Sequence, residues 1–176
     1  MNLKHTALTL LAFVSAAFCL YQKTDADTPT VAESPELDCR VSDPCRIAYT
    51  DAEKMIIAVR DGDVELLQRM VDTGMDVNAR AELQRTALFY AACQGKTACV
   101  KVLLAAPGVD VNVADADGLT PLIVASMLGH TECVRMLLAA PGIDVNKKYI
   151  WGTPLAGAIE NGHSECAAML RAAGAR

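Results

Sequence analysis

LLAAPGVDVN at residues 103–112 returns as LLAAPGIDVN at residues 137–146, thirty-four positions later. A repeat of that period is a supersecondary unit that cannot bury its apolar face alone, so neighbouring copies must stack to make a continuous core. The same period can be followed by its punctuation. Thr86, Thr120 and Thr153 open the phrases TALFYAA, TPLIVAS and TPLAGAI, and Gly95, Gly129 and Gly162 follow them at a constant offset, with Gly62 one period earlier. Val77-Asn78, Val111-Asn112 and Val145-Asn146 close three of the copies. Four units result, at about 50–80, 81–114, 115–147 and 148–176, and together they form an array over residues 50–176.

Each unit reads as two helices joined by a tight turn and followed by a loop. In the third, Thr120 can cap a helix through its side-chain oxygen, and Pro121 stands at the first helical position, where no backbone donor is required. Leu122, Val124, Ala125 and Leu128 make that helix apolar. Gly129 suits the left-handed conformation that ends it. A second helix follows, with Cys133, Val134, Leu137 and Leu138 on one face and Glu132 and Arg135 off it, until Pro141 and Gly142 stop it. The expected fold is an all-α repeat solenoid of stacked helix-turn-helix units with short hairpin loops. The first unit lacks the Thr-Pro-Leu phrase, but Thr50 and Glu53 have the spacing of a capping box, so a helix can start there.

Asp115, Gly118, Thr120, Pro121, Leu122, Ala125, Gly129, His130, Val134, Leu137, Leu138, Gly142, Asp144, Val145 and Asn146 reproduce an ordered pattern. On these residues the array resembles the ankyrin repeat, over about residues 50–176, and small exported bacterial proteins of that kind in particular. Two departures stand out. The histidine that follows the leucine of the Thr-Pro-Leu phrase in the family is Phe89, Ile123 and Ala156 here, and Pro107 and Pro141 look like one-residue insertions before the closing loop. The resemblance also explains His130 and His163, which follow the turn glycine as family structure rather than as catalytic groups.

The N-terminal part differs in composition. Lys4 precedes an apolar run from Ala7 to Leu20, which is short of the roughly 20 residues that a spanning helix needs. Residues 1–20 therefore read as a signal peptide, with Ser15, Ala16 and Ala17 offering a cleavage site. Cys19 leaves a lipid anchor as the minor alternative, against which Phe18 stands as a bulky neighbour. Residues 21–49 form an acidic linker containing Pro29, Pro35 and Pro44, a composition that buries too little apolar surface to offset the entropy of ordering it. Export would bring Cys39 and Cys45 into an oxidising compartment, where they are expected to form a disulfide. The expected localisation is periplasmic or secreted.

Other chemistry finds no motif. The sequence has no phosphate-binding glycine loop, no G-x-S-x-G elbow and no H-E-x-x-H helix, and it implies no metal and no cofactor, so an enzyme is not expected. A net charge of -5 with 16 Lys plus Arg argues against nucleic acid, which demands a basic stripe to displace counterions. Cys99, Cys133 and Cys166 share one repeat position and read as small buried hydrophobes, about 10 Å apart and too distant to bridge. Cys93, near a helix end, is expected to be the accessible one of these four.

What remains is recognition of another, unidentified protein by a monomeric, non-catalytic module. The resemblance implies binding through hairpin tips and the inner face of the first helices. Carried over by position, the tip residues are Leu83, Arg85, Asp117, Leu119, Tyr149, Ile150 and Trp151, and the inner-helix residues are Gln94, Met127, Glu160 and Asn161. Tyr149-Ile150-Trp151 holds the chain's one tryptophan and has two readings, a binding tip or a cap folded over the last repeat. Two narrower functions are open: a periplasmic protein supporting oxidative-stress defence alongside catalase, and a secreted effector that binds a host protein.

Overall fold

A computed structural model describes residues 49–150 and 152–176. The expected leader, Cys19 and the Cys39–Cys45 bridge all lie outside the described residues. Eight α-helices run through this region in four pairs: α1 Asp51–Asp61 and α2 Val64–Asp72, α3 Ala87–Cys93 and α4 Thr97–Ala105, α5 Pro121–Leu128 and α6 Thr131–Leu138, α7 Pro154–Glu160 and α8 Ser164–Ala172. The first helix of each pair packs on the first helix of the next, and the second helices do likewise. The result is a two-layered all-α solenoid.

The helix starts follow from the threonines. Thr86, Thr120 and Thr153 accept hydrogen bonds through Oγ1 from the backbone N–H of Phe89, Ile123 and Ala156, at 3.3, 3.4 and 3.3 Å. Each bond satisfies one of the donors that a helix N-terminus leaves free. Thr50 forms the full capping box with Glu53, whose carboxylate accepts from the Thr50 N–H at 2.7 Å while Thr50 Oγ1 accepts from the Glu53 N–H. That box starts α1 about one turn earlier than its counterparts and makes it 11 residues long.

The turn between helices is where one unit grips the next. Gly129 ends α5 at φ 73°, and a Cβ there would lie 2.5 Å from Nδ1 of His163. The glycine is thus fixed twice, by the left-handed backbone and by the imidazole packed on it. His163 Nε2 lies 3.0 Å from the Met127 carbonyl, and His130 Nε2 lies 3.0 Å from the Cys93 carbonyl in the same way. The histidines therefore tie each turn to the end of the preceding first helix.

The closing Asp-Val-Asn phrase makes a second tie. Asp110 Oδ1 accepts from the Asn112 N–H and shapes the loop, Val111 is buried, and Asn112 reaches across to the following unit. Its Nδ2 donates to the Gly142 carbonyl at 2.8 Å and its Oδ1 accepts from the Asp144 N–H at 2.9 Å. Asn78 repeats both bonds one period earlier, to the Gly108 carbonyl and from the Asp110 N–H. The opening LLAAPG phrases thus lead into a polar ladder along the loops.

Between the layers lies the core, where Leu67, Leu88, Phe89, Leu103, Leu122, Ile123, Leu137 and Leu170 are almost wholly buried. Burial of such side chains contributes about 1.5–3 kcal/mol each before entropy is counted. Cys99, Cys133 and Cys166 are free thiols at 1, 0 and 1 % exposure, small apolar residues of this core. Burial, with Glu132 adding to it, pushes the Cys133 thiol up to about 11. Cys93 corrects an expectation: it is 6 % exposed and disulfide-bonded, not an accessible thiol.

Candidate functional site

The hairpin tips are built by short backbone closures. Ala81 donates its N–H to the Arg85 carbonyl at 2.9 Å, and Asp115 donates to the Leu119 carbonyl at 2.9 Å. In the last tip, Tyr149 and Gly152 exchange two bonds, at 3.0 and 3.2 Å, as an isolated antiparallel bridge. Ala116 N–H donates to the Leu83 carbonyl at 2.9 Å, which couples the second tip to the third.

Three residues expected on the tip surface turn out to be buried. Arg85 is 4 % exposed, its Nε donating to Asp115 Oδ2 at 3.2 Å across the gap between adjacent tips. The guanidinium lies over the Phe89 ring, 5.0 Å from its centroid, an attractive cation–π arrangement. Asp115 uses its other oxygen, Oδ1, to accept from the N–H groups of Asp117 and Leu119, at 3.0 and 2.9 Å. Both carboxylate oxygens are therefore occupied, which is what keeps a buried ion pair from being a liability. Leu119, at the position Arg85 takes in the preceding tip, is 6 % exposed. Tyr149 is 9 % exposed, and burial, followed by the charge of Glu160, raises its hydroxyl above the usual tyrosine range. Arg85 and Tyr149 thus face a neighbouring tip, Tyr149 lying 3.7 Å from where a Cβ on Gly118 would stand.

The remaining candidates reach solvent. Leu83 is 51 % and Ile150 73 % exposed, two large apolar side chains on separate tips, while Asp117, Glu160 and Asn161 are exposed and Gln94 and Met127 half-buried. Trp151 lies outside the described residues, so both readings of the Tyr149-Ile150-Trp151 tip stand. Leu83 and Gln84 adopt φ of 56° and 60°, a left-handed pair without glycine, and Gln84 occupies the place that Gly118 takes in the next tip. Non-glycine residues there cost about 1–2 kcal/mol each. Strain of this kind, where a side chain is displayed to solvent, is a pointer to function.

A helix-interior glycine shapes the first-helix edge. Gly157 falls where the earlier units have Ile57, Tyr90 and Val124, and a Cβ there would meet Met127 Cγ at 2.7 Å and Tyr149 Oη at 3.6 Å. Its bare backbone gives Met127 room to lie down across the junction. Among the described residues no group of three or more His, Cys, Asp or Glu could hold a metal ion, and no helix is long and apolar enough to cross a membrane.

The Arg85–Asp115 pair and the strained Leu83-Gln84 turn escaped the sequence reading. Signals for both were present: opposite charges at neighbouring tips, an aromatic residue four positions after Arg85, and a glutamine where the next copy has Gly118.

A family model described as ankyrin repeats in three copies matches residues 55–149, more than half of the chain. The chain belongs to the ankyrin-repeat family. The match runs from within α1 to the start of the last tip, so the His130 turn, the asparagine ladder from Asn78 to Asp144 and the second and third tips lie within it. A search of the curated proteins finds no match to this chain. Membership makes the array a protein–protein interaction module of a family that is generally non-catalytic.

Proposed function

We propose that this ankyrin array is exported by the segment at residues 1–20 and binds a protein partner through its tips and the adjoining edge of α3, α5 and α7. The observation that carries the reading is a division of labour. Residues alike between copies cap helices, fill the core or tie units together, whereas the exposed tip residues Leu83, Asp117 and Ile150 differ from one copy to the next. Exposed, variable and held on a rigid frame, they are placed for specific recognition.

The test uses a photo-crosslinking residue in place of Leu83 or Ile150, in the native host. Both positions should trap the same protein, and a probe at Arg135, exposed on α6, should not. Equal trapping from Arg135 overturns the tip assignment. Fractionation checks export: recovery of the uncleaved chain from the cytoplasm would sink it, while recovery from the periplasm or the medium distinguishes a resident protein from a secreted effector. A catalase among trapped proteins would support the oxidative-stress role.

A further inference from the structure

The end of α7 carries Asn161-Gly162, the one Asn-Gly step in the sequence. This dipeptide has its own chemistry, because glycine offers no side chain to shield its nitrogen from the neighbouring carboxamide. We propose that Asn161 is a self-modification site gated by the last turn of α7. In the step, the Gly162 backbone nitrogen attacks Asn161 Cγ as it loses its proton. A C–N bond forms, the Cγ–Nδ2 bond breaks and ammonia leaves. Water then opens the five-membered imide at either carbonyl, giving aspartate or isoaspartate. No oxidant or cofactor is consumed.

The native geometry holds both reacting groups apart. Asn161 Nδ2 donates to the Gly157 carbonyl at 2.8 Å, which points the carboxamide back along the helix. The Gly162 N–H is engaged with the Ile159 carbonyl at 3.1 Å, and Asn161 itself sits at φ -92° and ψ 3°. Attack therefore requires the turn to open and both bonds to break. Local openings of this kind occur well below the free energy of global unfolding.

The two products differ in effect. An aspartate is compatible with the fold, since the first unit already carries Asp61-Gly62 at the equivalent place. It nevertheless puts a second negative charge beside Glu160 at a helix C-terminus, where the helix dipole disfavours it. Isoaspartate adds a backbone carbon one residue before the turn glycine. That displaces His163, whose N–H bonds the Ala158 carbonyl at 2.8 Å and whose ring meets the Met127 carbonyl, so the link between the last two units loosens. The chemistry stands apart from the binding reading; only its consequence for a partner at Glu160 and Asn161 rests on that reading.

Incubation of the purified full chain in mildly alkaline buffer, with and without denaturing urea, followed by peptide mapping, tests the proposal. The expected result is conversion of the Asn161 peptide, at least about tenfold faster in urea than in buffer, as gating by an opening equilibrium requires. Asn161→Gln should abolish the product. Thr153→Ala, which removes the cap of α7, should speed conversion in buffer. No conversion in urea overturns the chemistry, and equal rates with and without urea overturn the gating. Either failure leaves trapping by Leu83 and Ile150 untouched.

Discussion

The Arg85–Asp115 pair gives the sharpest energetic test of the array. At 4 and 0 % side-chain exposure neither group can recruit water if its partner is lost. Asp115→Asn keeps Oδ1 as acceptor for the Asp117 and Leu119 N–H groups, so the turn itself should survive. It leaves the guanidinium buried without a counter-charge, a loss of about 3–5 kcal/mol in general, taken at the low end here because the Phe89 ring offsets part of it. Arg85→Leu should cost less, about 1–3 kcal/mol, because the carboxylate retains two backbone donors and leucine is what the next tip carries as Leu119. In the double variant no buried charge remains. Its loss should therefore fall short of the sum of the single losses by at least about 1 kcal/mol, the size expected for directly coupled neighbours.

Equilibrium urea unfolding followed by far-ultraviolet circular dichroism measures each corner of the cycle, with the denaturant slope required to stay constant. Native-state hydrogen exchange adds location: protection should fall at the second and third units together, since the pair spans them. Additive single effects within about 0.5 kcal/mol would falsify the idea that the two residues act as a pair. So would an Asp115→Asn cost below about 1 kcal/mol, which would mean that the guanidinium finds water after all.

Three further outcomes can be checked directly. Asn112→Ala removes two inter-unit hydrogen bonds and should destabilise the array by about 1–2 kcal/mol, roughly twice the effect of Asn146→Ala, for which the structure gives the bond from the Arg176 N–H; equal losses in chemical denaturation would contradict the ladder. Cys133, with its thiol pushed up to about 11 from 9.0, should resist alkylation in the native protein and react on unfolding. Its raised value means that its contribution is intact below about pH 9 and is lost as pH climbs toward about 11, because the unfolded chain ionises first; a melting temperature flat across that interval, or rapid native labelling of Cys133, counts against it. Gln84→Gly should stabilise the array by about 0.5–1 kcal/mol, the relief of left-handed strain less the added freedom of the unfolded chain, and a lowered unfolding midpoint would show that the turn is not strained.

How far the sequence could be read follows from the range of the interactions. Helix starts were legible because a cap is local: Thr50, Thr86, Thr120 and Thr153 each bond a backbone N–H three residues away. The turn glycines and the second helices were legible for the same reason, since conformation and apolar period are written within a few residues. Burial at the tips was not. Arg85 and Asp115 are thirty residues apart, and a charged residue on a short loop is exposed unless something specific covers it. That cover comes from Asp115 in the next copy and from the Phe89 ring in its own. Tyr149 and Leu119 were misplaced by the same reasoning, because a tip viewed as one unit is all surface, whereas a tip in a stack has one flank pressed on its neighbour. Gly118 records that closeness: a Cβ there would sit 3.7 Å from Tyr149. In a repeat array, then, the flanks of the tips belong to the scaffold and only their ends are free to discriminate. Leu83, Asp117 and Ile150 are among the residues exposed at those ends. Arg85 and Tyr149 each contact a neighbouring tip, so on the proposed function substituting them should alter binding through the spacing of the tips rather than through direct contact.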